Sequence, residues 1–288
     1  MFLYDDLSGI EARTLRWLAG SPSLKMFAEK DRGGADPYCV TAAKAFNLSL
    51  DKITEELRQC GKVLCLQAQY QSGPGKVKQT ISVWSGGKVN VTLEFAKQAV
   101  AAFRKSEPEI VSLWENLNKA FKAVLTGQLE SVSICGGKLR FTRPGKSTVA
   151  MRLPSGRSVY YNKCRILDKD VVIKGTDNQK VLRKGSIVYY KHDADFTTDQ
   201  GLTGYYGGLG SENAASGVAR DIMAEAMLKC EASGLPITHH AHDSLMVELP
   251  ASVAKERIAL LKQILTTPPA WCSDIPLASD TKITRRMP

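Results

Sequence analysis

The chain opens on FLYDDL (2–7), an apolar run carrying two aspartates, which predicts a short strand. Ile10, Leu15, Trp17 and Leu18 then recur at broadly helical spacing and predict an amphipathic helix over 9–19. ADPYCVTAAKAFN (35–47) predicts a second helix, started by Asp-Pro. SLDKITEELRQCGKVLCLQAQY (49–70) predicts a helical region broken or recapped near 51–54, because Leu57 stands where a capping box would place Glu or Gln. SGPGK (72–76) ends that segment, and 92–126 predicts two further helices divided near Ser106-Glu107-Pro108. From 129 to 192 the apolar pattern alternates between turn signals, which predicts a small antiparallel meander with LPSGR as a hairpin turn. GLTGYYGGLG (201–210) reads as a glycine-rich link to a long helix, capped by Ser211 and stopped by Gly234. PITHHAHDSLMVELP (236–250) predicts two strands turning at His242-Asp243, and ASVAKERIALLKQIL (251–265) an amphipathic helix.

Composition narrows the class. With 288 residues, 43% hydrophobic and 24% charged, the chain has the make-up of globular protein with a sizeable core. Its formal charge of +10 favours an acidic partner, nucleic acid ahead of an anionic membrane. The predicted meander is itself basic, through Lys138, Arg140, Arg143, Arg152, Arg157, Lys163 and Arg165. No run of 18 apolar residues occurs, so no membrane span is expected. Seven cysteines without a CxxC read as reduced thiols, and the expected location is a cytoplasm.

Three readings compete at the His242-Asp243 turn. One is an ordinary turn aspartate beside solvent-facing histidines. A zinc or iron hydrolase site would use His240 and His242 but lacks a third ligand, since the other histidines are His239 beside them and the distant His192. The third reading pairs Asp243 with Asp6: two strand-end carboxylates can hold two magnesium ions, whose shells substrate phosphates and water complete. Arg58, Lys62, Leu66 and Tyr70 fall four apart and line one helix face. Arg and Lys so placed repel by roughly 0.2–0.5 kcal/mol unless a counter-charge such as a triphosphate is present. The plainer reading of that face is a solvated basic edge with Leu66 dipping into the core.

Taken together, these motifs resemble a family. DLSGIEAR (6–13) resembles the first palm motif of the family A DNA polymerases, the group of bacterial DNA polymerase I, and most of all its phage branch. DPYCVTAAKAF (36–46) and RQCGKVLCLQAQYQSG (58–73) resemble successive fingers helices of that branch; YYGGLGSENAASGVARDIMAEAM (205–227) resembles the long palm helix, and HDS (242–244) the last palm motif. The order and spacing hold over almost the whole chain. The resemblance implies an α/β (α+β) fold: a palm with a small antiparallel sheet over 1–24 and 201–288, and mostly helical fingers with the basic β-meander inserted over 25–200. It implies DNA-directed DNA synthesis from dNTPs on a primer–template, with two Mg2+ ions (Mn2+ as a substitute) held by Asp6, Asp243 and the Leu7 carbonyl. Arg58 and Lys62 would grip the triphosphate, and Lys62 would also protonate the departing pyrophosphate. Glu11 would exclude a 2′-hydroxyl, Tyr70 would flank the nascent base pair, and His242 would position the primer terminus. Tyr38 falls where bacterial members carry a phosphate-contacting histidine, and Leu66 replaces an aromatic of the nucleotide site. Asp5, outside the motif, is expected to be structural or solvated.

Two more departures stand out. Ser244 replaces the accessory glutamate that usually follows His-Asp, and Ser216 replaces a glutamine that reads the minor groove. The family's thumb and exonuclease-like domains precede the motif that here begins at Asp6. The expectation is therefore a catalytic subunit of a split phage polymerase, with a separate polypeptide supplying the thumb and upstream palm, and possibly the exonuclease, and docking beside an exposed edge of the 2–7 strand. The rival is a non-catalytic DNA-binding remnant, in which Ser244 and Ser216 mark lost activity.

Overall fold

The structure, a computed structural model, describes residues 1–174, 179–191 and 199–285; His192 lies outside them. It divides into two compact units, one formed by Met1–Glu107 with Ala215–Pro288, the other by Pro108–Ala214.

The first unit begins with β1 (Phe2–Leu7) and runs through α1 (Ile10–Ala19), α2 (Leu24–Asp31), α3 (Pro37–Phe46), α4 (Glu55–Gln67), α5 (Pro74–Trp84) and α6 (Leu93–Ser106). The helix starts follow from local chemistry. Asp36 accepts a hydrogen bond from the Tyr38 amide, with Pro37 at the first helical position of α3. The Thr54 hydroxyl accepts from the Leu57 amide at 3.4 Å, so α4 is capped without a capping box. Helix α5 was not expected: Gly73-Pro74 ends the preceding segment and also starts a new helix, because proline at the first position gives up an amide that would have no partner there. Helices α4, α5 and α6 bury Cys60, Val63, Leu64, Val77, Ile81, Ala99 and Val100 in a shared core.

The second unit holds α7 (Pro108–Leu125), β2 (Ser131–Ile134), β3 (Leu139–Gly145), β4 (Thr148–Arg152), β5 (Ser158–Ile166), β6 (Val171–Lys174), β7 (Gln179–Leu182), β8 (Ile187–Tyr190), β9 (Leu202–Gly204) and the first turns of α8 (Gly207–Ala232). The meander is an antiparallel sheet of order β2-β3-β4-β5-β8-β9, with β6-β7 as a separate two-stranded sheet. At LPSGR the Leu153 amide donates to the Arg157 carbonyl at 2.7 Å, which closes the expected turn. Helix α7 lies on β2–β4, with Phe121 edge-on to Phe141 and Tyr161 and stacked on Tyr205. Helix α8 starts at Gly207 rather than at Ser211. A Cβ on Gly207 would sit 2.1 Å from the Trp114 carbonyl, so glycine there permits close approach of two backbones; Ser211 lies inside the helix and donates to the Gly208 carbonyl at 2.8 Å.

The first unit is completed by the rest of α8 and by β10 (Ile237–Ala241), β11 (Ser244–Glu248), α9 (Ala251–Thr266) and β12 (Ser279–Thr284). Its sheet is antiparallel, in the order β10-β11-β1-β12, with α9 packed on β1 and β12. The fold class is thus the expected mixture of helices and antiparallel sheets. Strand β12 corrects one expectation. It pairs with β1 from Phe2↔Thr284 to Leu7↔Ser279, so β1 is an inner strand and offers a partner no free edge. The expected palm and fingers limits at 24/25 and 200/201 are a functional division that these compact units do not test. Among the described residues no helix is long and apolar enough to cross a membrane.

Candidate active site

Strand β1 alternates strictly. Leu3, Asp5 and Leu7 are buried on one face, while Phe2, Tyr4 and Asp6 stand on the other. Period-2 geometry thus separates the two aspartates. Of the two expectations for Asp5, structural or solvated, the structure gives the first: it is fully buried, and that burial pushes its carboxyl above the ordinary carboxylate range, against the pull of the Ser279 and Thr281 hydroxyls. Asp6 pairs with Ser244, and its carboxylate accepts from the Tyr4 hydroxyl at 3.1 Å.

The hairpin beside β1 brings Asp243 to the same place. Ala241 pairs with Ser244, so His242 and Asp243 form a two-residue turn. His242 adopts a left-handed φ of 52°, an uncommon conformation for a residue other than glycine or asparagine. The Leu7 amide donates to the Asp243 carbonyl at 2.9 Å and locks the end of β1 to the turn. His242 is exposed, whereas Asp243 is half-buried rather than at an exposed tip. Burial, then the negative charge of Asp6, pushes the Asp243 carboxyl up. The Ser244 hydroxyl donates to the Ala241 carbonyl at 2.9 Å and closes the hairpin instead of standing in for an acid. A half-buried carboxylate with a second carboxylate beside it is a donor set suited to a hard divalent cation. Among the described residues no three His, Cys, Asp or Glu side chains converge as a zinc-type site would need.

Glu11 stands in the first turn of α1, which is entered through Gly9 at φ 59°. Its carboxylate is held from two sides: the Tyr70 hydroxyl donates at 3.2 Å and the Ser216 hydroxyl at 2.9 Å. The buried Thr14 hydroxyl, one turn on, lies 3.2 Å from the Ala215 carbonyl and fixes α1 against α8. Glu11, Ser216, Arg220, His240, His242 and Asp243 line one open cavity of about 830 Å³.

The face of α4 divides into two parts. Arg58 is engaged by Asp36 at 2.9 Å and Glu55 at 3.2 Å, with its guanidinium 5.5 Å from the centre of the Tyr38 ring. Lys62 is half-buried and makes no hydrogen bond or ion pair among the described residues. Leu66 packs on the cluster of Ala12, Phe27, Tyr38 and Cys65. Tyr38 belongs to that cluster, and its burial raises the phenol well above its ordinary pKa. Tyr70 lies in the 3-10 turn after α4, which carries it to Glu11.

No protein-family model matches the chain. Over 290 residues it is 28% identical to the DNA polymerase of Bacillus phage SP02, a match covering 98% of this chain and 40% of that protein. The POL domain of Pol1 from M. smegmatis, solved in complex with DNA primer-template and dNTP, matches it with a TM-score of 0.57 at 17% identity, over 97% of this chain and 38% of that one. Both matches are DNA polymerases, and the second shows a shared fold. It spans less than half the length of either polymerase.

Two residues of this chain were passed over in the sequence. Arg13 and Arg16 sit on the buried face of α1 and flank Phe27, at 5.2 and 5.4 Å from its ring centre. Arg13 makes a bidentate pair with Asp31, both bonds 2.7 Å, and donates to the Ser8 carbonyl at 2.8 Å. Arg16 donates to Glu107 at 3.0 Å, Gln69 at 3.2 Å and the Ala12 carbonyl at 3.2 Å. Ser21 and Ser23 complete the shell of Glu107, at 2.8 and 2.6 Å. These bonds join the helix that carries Glu11 to α2, the end of α4 and the end of α6. The signal was present in the sequence: an arginine pair at i,i+3 on the otherwise apolar side of an amphipathic helix needs buried partners.

Proposed function

We propose that this chain performs template-directed 5′–3′ DNA synthesis, in which a primer 3′-hydroxyl attacks the α-phosphate of a dNTP and pyrophosphate departs. One observation supports it above the others: Asp6 and Asp243 end together at β1 and its neighbouring turn, beside a cavity whose wall carries the anchored Glu11. Two magnesium ions, or manganese in their place, would be held by the Asp6 and Asp243 carboxylates and the Leu7 carbonyl, and supply charge to the phosphates and to the attacking oxygen. The chain's own residues do the positioning. Lys62, with no competing anion, meets the triphosphate and gives a proton to the departing pyrophosphate. Arg58 joins it by exchanging Asp36 and Glu55 for phosphate oxygens, with Tyr38 as the platform beneath it. Glu11, braced by Tyr70, closes the space a 2′-hydroxyl would need. Leu66 supports the wall on which Tyr70 flanks the base pair, and His242 positions the primer terminus. Primer–template DNA and dNTPs are the ligands. A separate thumb-bearing polypeptide stays within the proposal, seated elsewhere than beside β1.

Asp243→Ala carries the test. With Mg2+, dNTPs and a labelled primer–template, the variant should lose incorporation by about 10³-fold or more, since several kcal/mol of charge stabilisation depend on that carboxylate. Primer–template affinity should change little. Extension at the wild-type rate would refute the assignment.

A further inference from the structure

Strands β2–β5 present two faces of different character. On one, Leu139, Phe141, Met151 and Tyr161 are buried on the α7 side. On the other, the register sets Ser133, Arg140, Arg152 and Ser158 in one row, and Ser131, Thr142, Ala150 and Tyr160 in the next. Arg140 and Arg152 are therefore direct cross-strand partners, an arrangement that destabilises a sheet when nothing neutralises it. Neither has a carboxylate partner among the described residues; Arg140 donates only to the Ser131 hydroxyl, at 3.1 Å. Other arginines of the unit are occupied: Arg143 donates to the carbonyls of Leu125, Gly145 and Lys146, and Arg165 pairs with Asp199 at 2.8 Å. Tyr160 is 60% exposed although it sits in mid-strand, where it pairs with the buried Ala150.

We propose that this face is a binding surface for single-stranded DNA, separate from the cleft described above and independent of its chemistry. Arg140 and Arg152 take backbone phosphates, the row of hydroxyls offers further hydrogen bonds, and Tyr160 stacks on an unpaired base. Single strands fit better than duplex because paired bases are already stacked and give Tyr160 nothing to bind. A protein partner fits worse still, since the face holds one aromatic ring and one alanine where an interface core needs a contiguous apolar patch.

The test uses the whole chain, a short labelled oligo-dT and fluorescence anisotropy over a range of salt concentrations. Arg140→Ala with Arg152→Ala should weaken binding and reduce the slope of log affinity against log salt by about 1.4, the value for two lost phosphate contacts on a single strand. Tyr160→Ala should weaken binding about 10-fold with the slope unchanged, while Tyr160→Phe binds as the wild type does. Circular dichroism on each variant separates lost contacts from lost fold. Unchanged affinity and slope in the folded arginine variant would overturn the surface. Blunt duplex competing as well as oligo-dT, with Tyr160→Ala neutral, would overturn the single-strand assignment. If the wild-type chain binds oligo-dT through these residues yet never extends a primer, the polymerase proposal fails and this one stands.

Discussion

Glu11 is braced twice, and Ser216 is the shorter of the two braces. In the sequence Ser216 looked like a loss, a serine too small to reach a minor groove. In the structure its hydroxyl has an acceptor on the neighbouring helix, and the Thr14–Ala215 contact one turn away fixes the distance between them. In the proposed role of Glu11 as the sugar gate, a braced carboxylate resists being pushed aside by a ribose hydroxyl better than a mobile one. Ser216→Ala should remove one hydrogen bond, about 1 kcal/mol, and so cost roughly five-fold in dNTP over rNTP selectivity. Ser216→Thr, which keeps the hydroxyl, should retain it. Single-turnover kcat/KM for matched dNTP and rNTP pairs decides the matter: an equal fall for both sugars would mean general damage, and no change would remove Ser216 from sugar selection. Asp6 and Asp243 could be paired from the sequence because both carboxylates end or interrupt predicted strands, whereas Glu11 was singled out only through the family resemblance. The bond from Ser216 could not be foreseen, because it joins residues 205 positions apart.

Elements were legible where one periodicity dominated. Strand β1, helices α3, α4, α6, α7 and α9, the meander and the β10–β11 hairpin all fall where apolar spacing and turn residues place them. Strand β12 was not legible, because SDTKIT carries one aliphatic residue and pairs with β1 alone. The start of α8 was misread because helix propensity argues against Gly207 and Gly208, whereas close packing on Trp114 outweighs propensity at the first of them. Gly61 shows the same conflict inside α4. A Cβ there would sit 2.0 Å from the Tyr38 carbonyl, so the α3–α4 crossing depends on its absence. Gly61→Ala should destabilise the fold by about 1–3 kcal/mol and displace Tyr38 and Arg58 with it. Gly75→Ala, in helix α5 with open space around it, should be neutral or mildly stabilising. Thermal unfolding of the two variants beside the parent checks both; equal melting temperatures for Gly61→Ala and the parent would contradict the close crossing.

At the larger scale, the decisive feature is that the strand carrying Asp6 is paired on both sides by strands distant in sequence. Strand β1 lies between β11 and β12, the terminal amino group donates to the Leu249 carbonyl at 2.7 Å, and the Ser8 amide donates to the Ala278 carbonyl at 2.9 Å. A strand so placed needs no second polypeptide to complete its hydrogen bonding, since both edges are filled from within. The same arrangement makes β1 depend on contacts across nearly the full length of the sequence, which favours slow assembly of this sheet. Two expectations follow and can be read in one experiment. In the purified chain alone, the β1 amides should exchange with deuterated solvent only as slowly as the unit's most protected amides. In a variant ending at Ala278, which removes β12, the amides of β1 that face it should exchange rapidly, and buried Asp5 should lose the Ser279 and Thr281 hydroxyls beside it. Fast exchange of β1 in the intact chain, slowed when another polypeptide is added, would restore the idea that a partner completes this edge. Slow exchange in the intact chain and its loss on truncation would place the covering of β1 wholly within this chain.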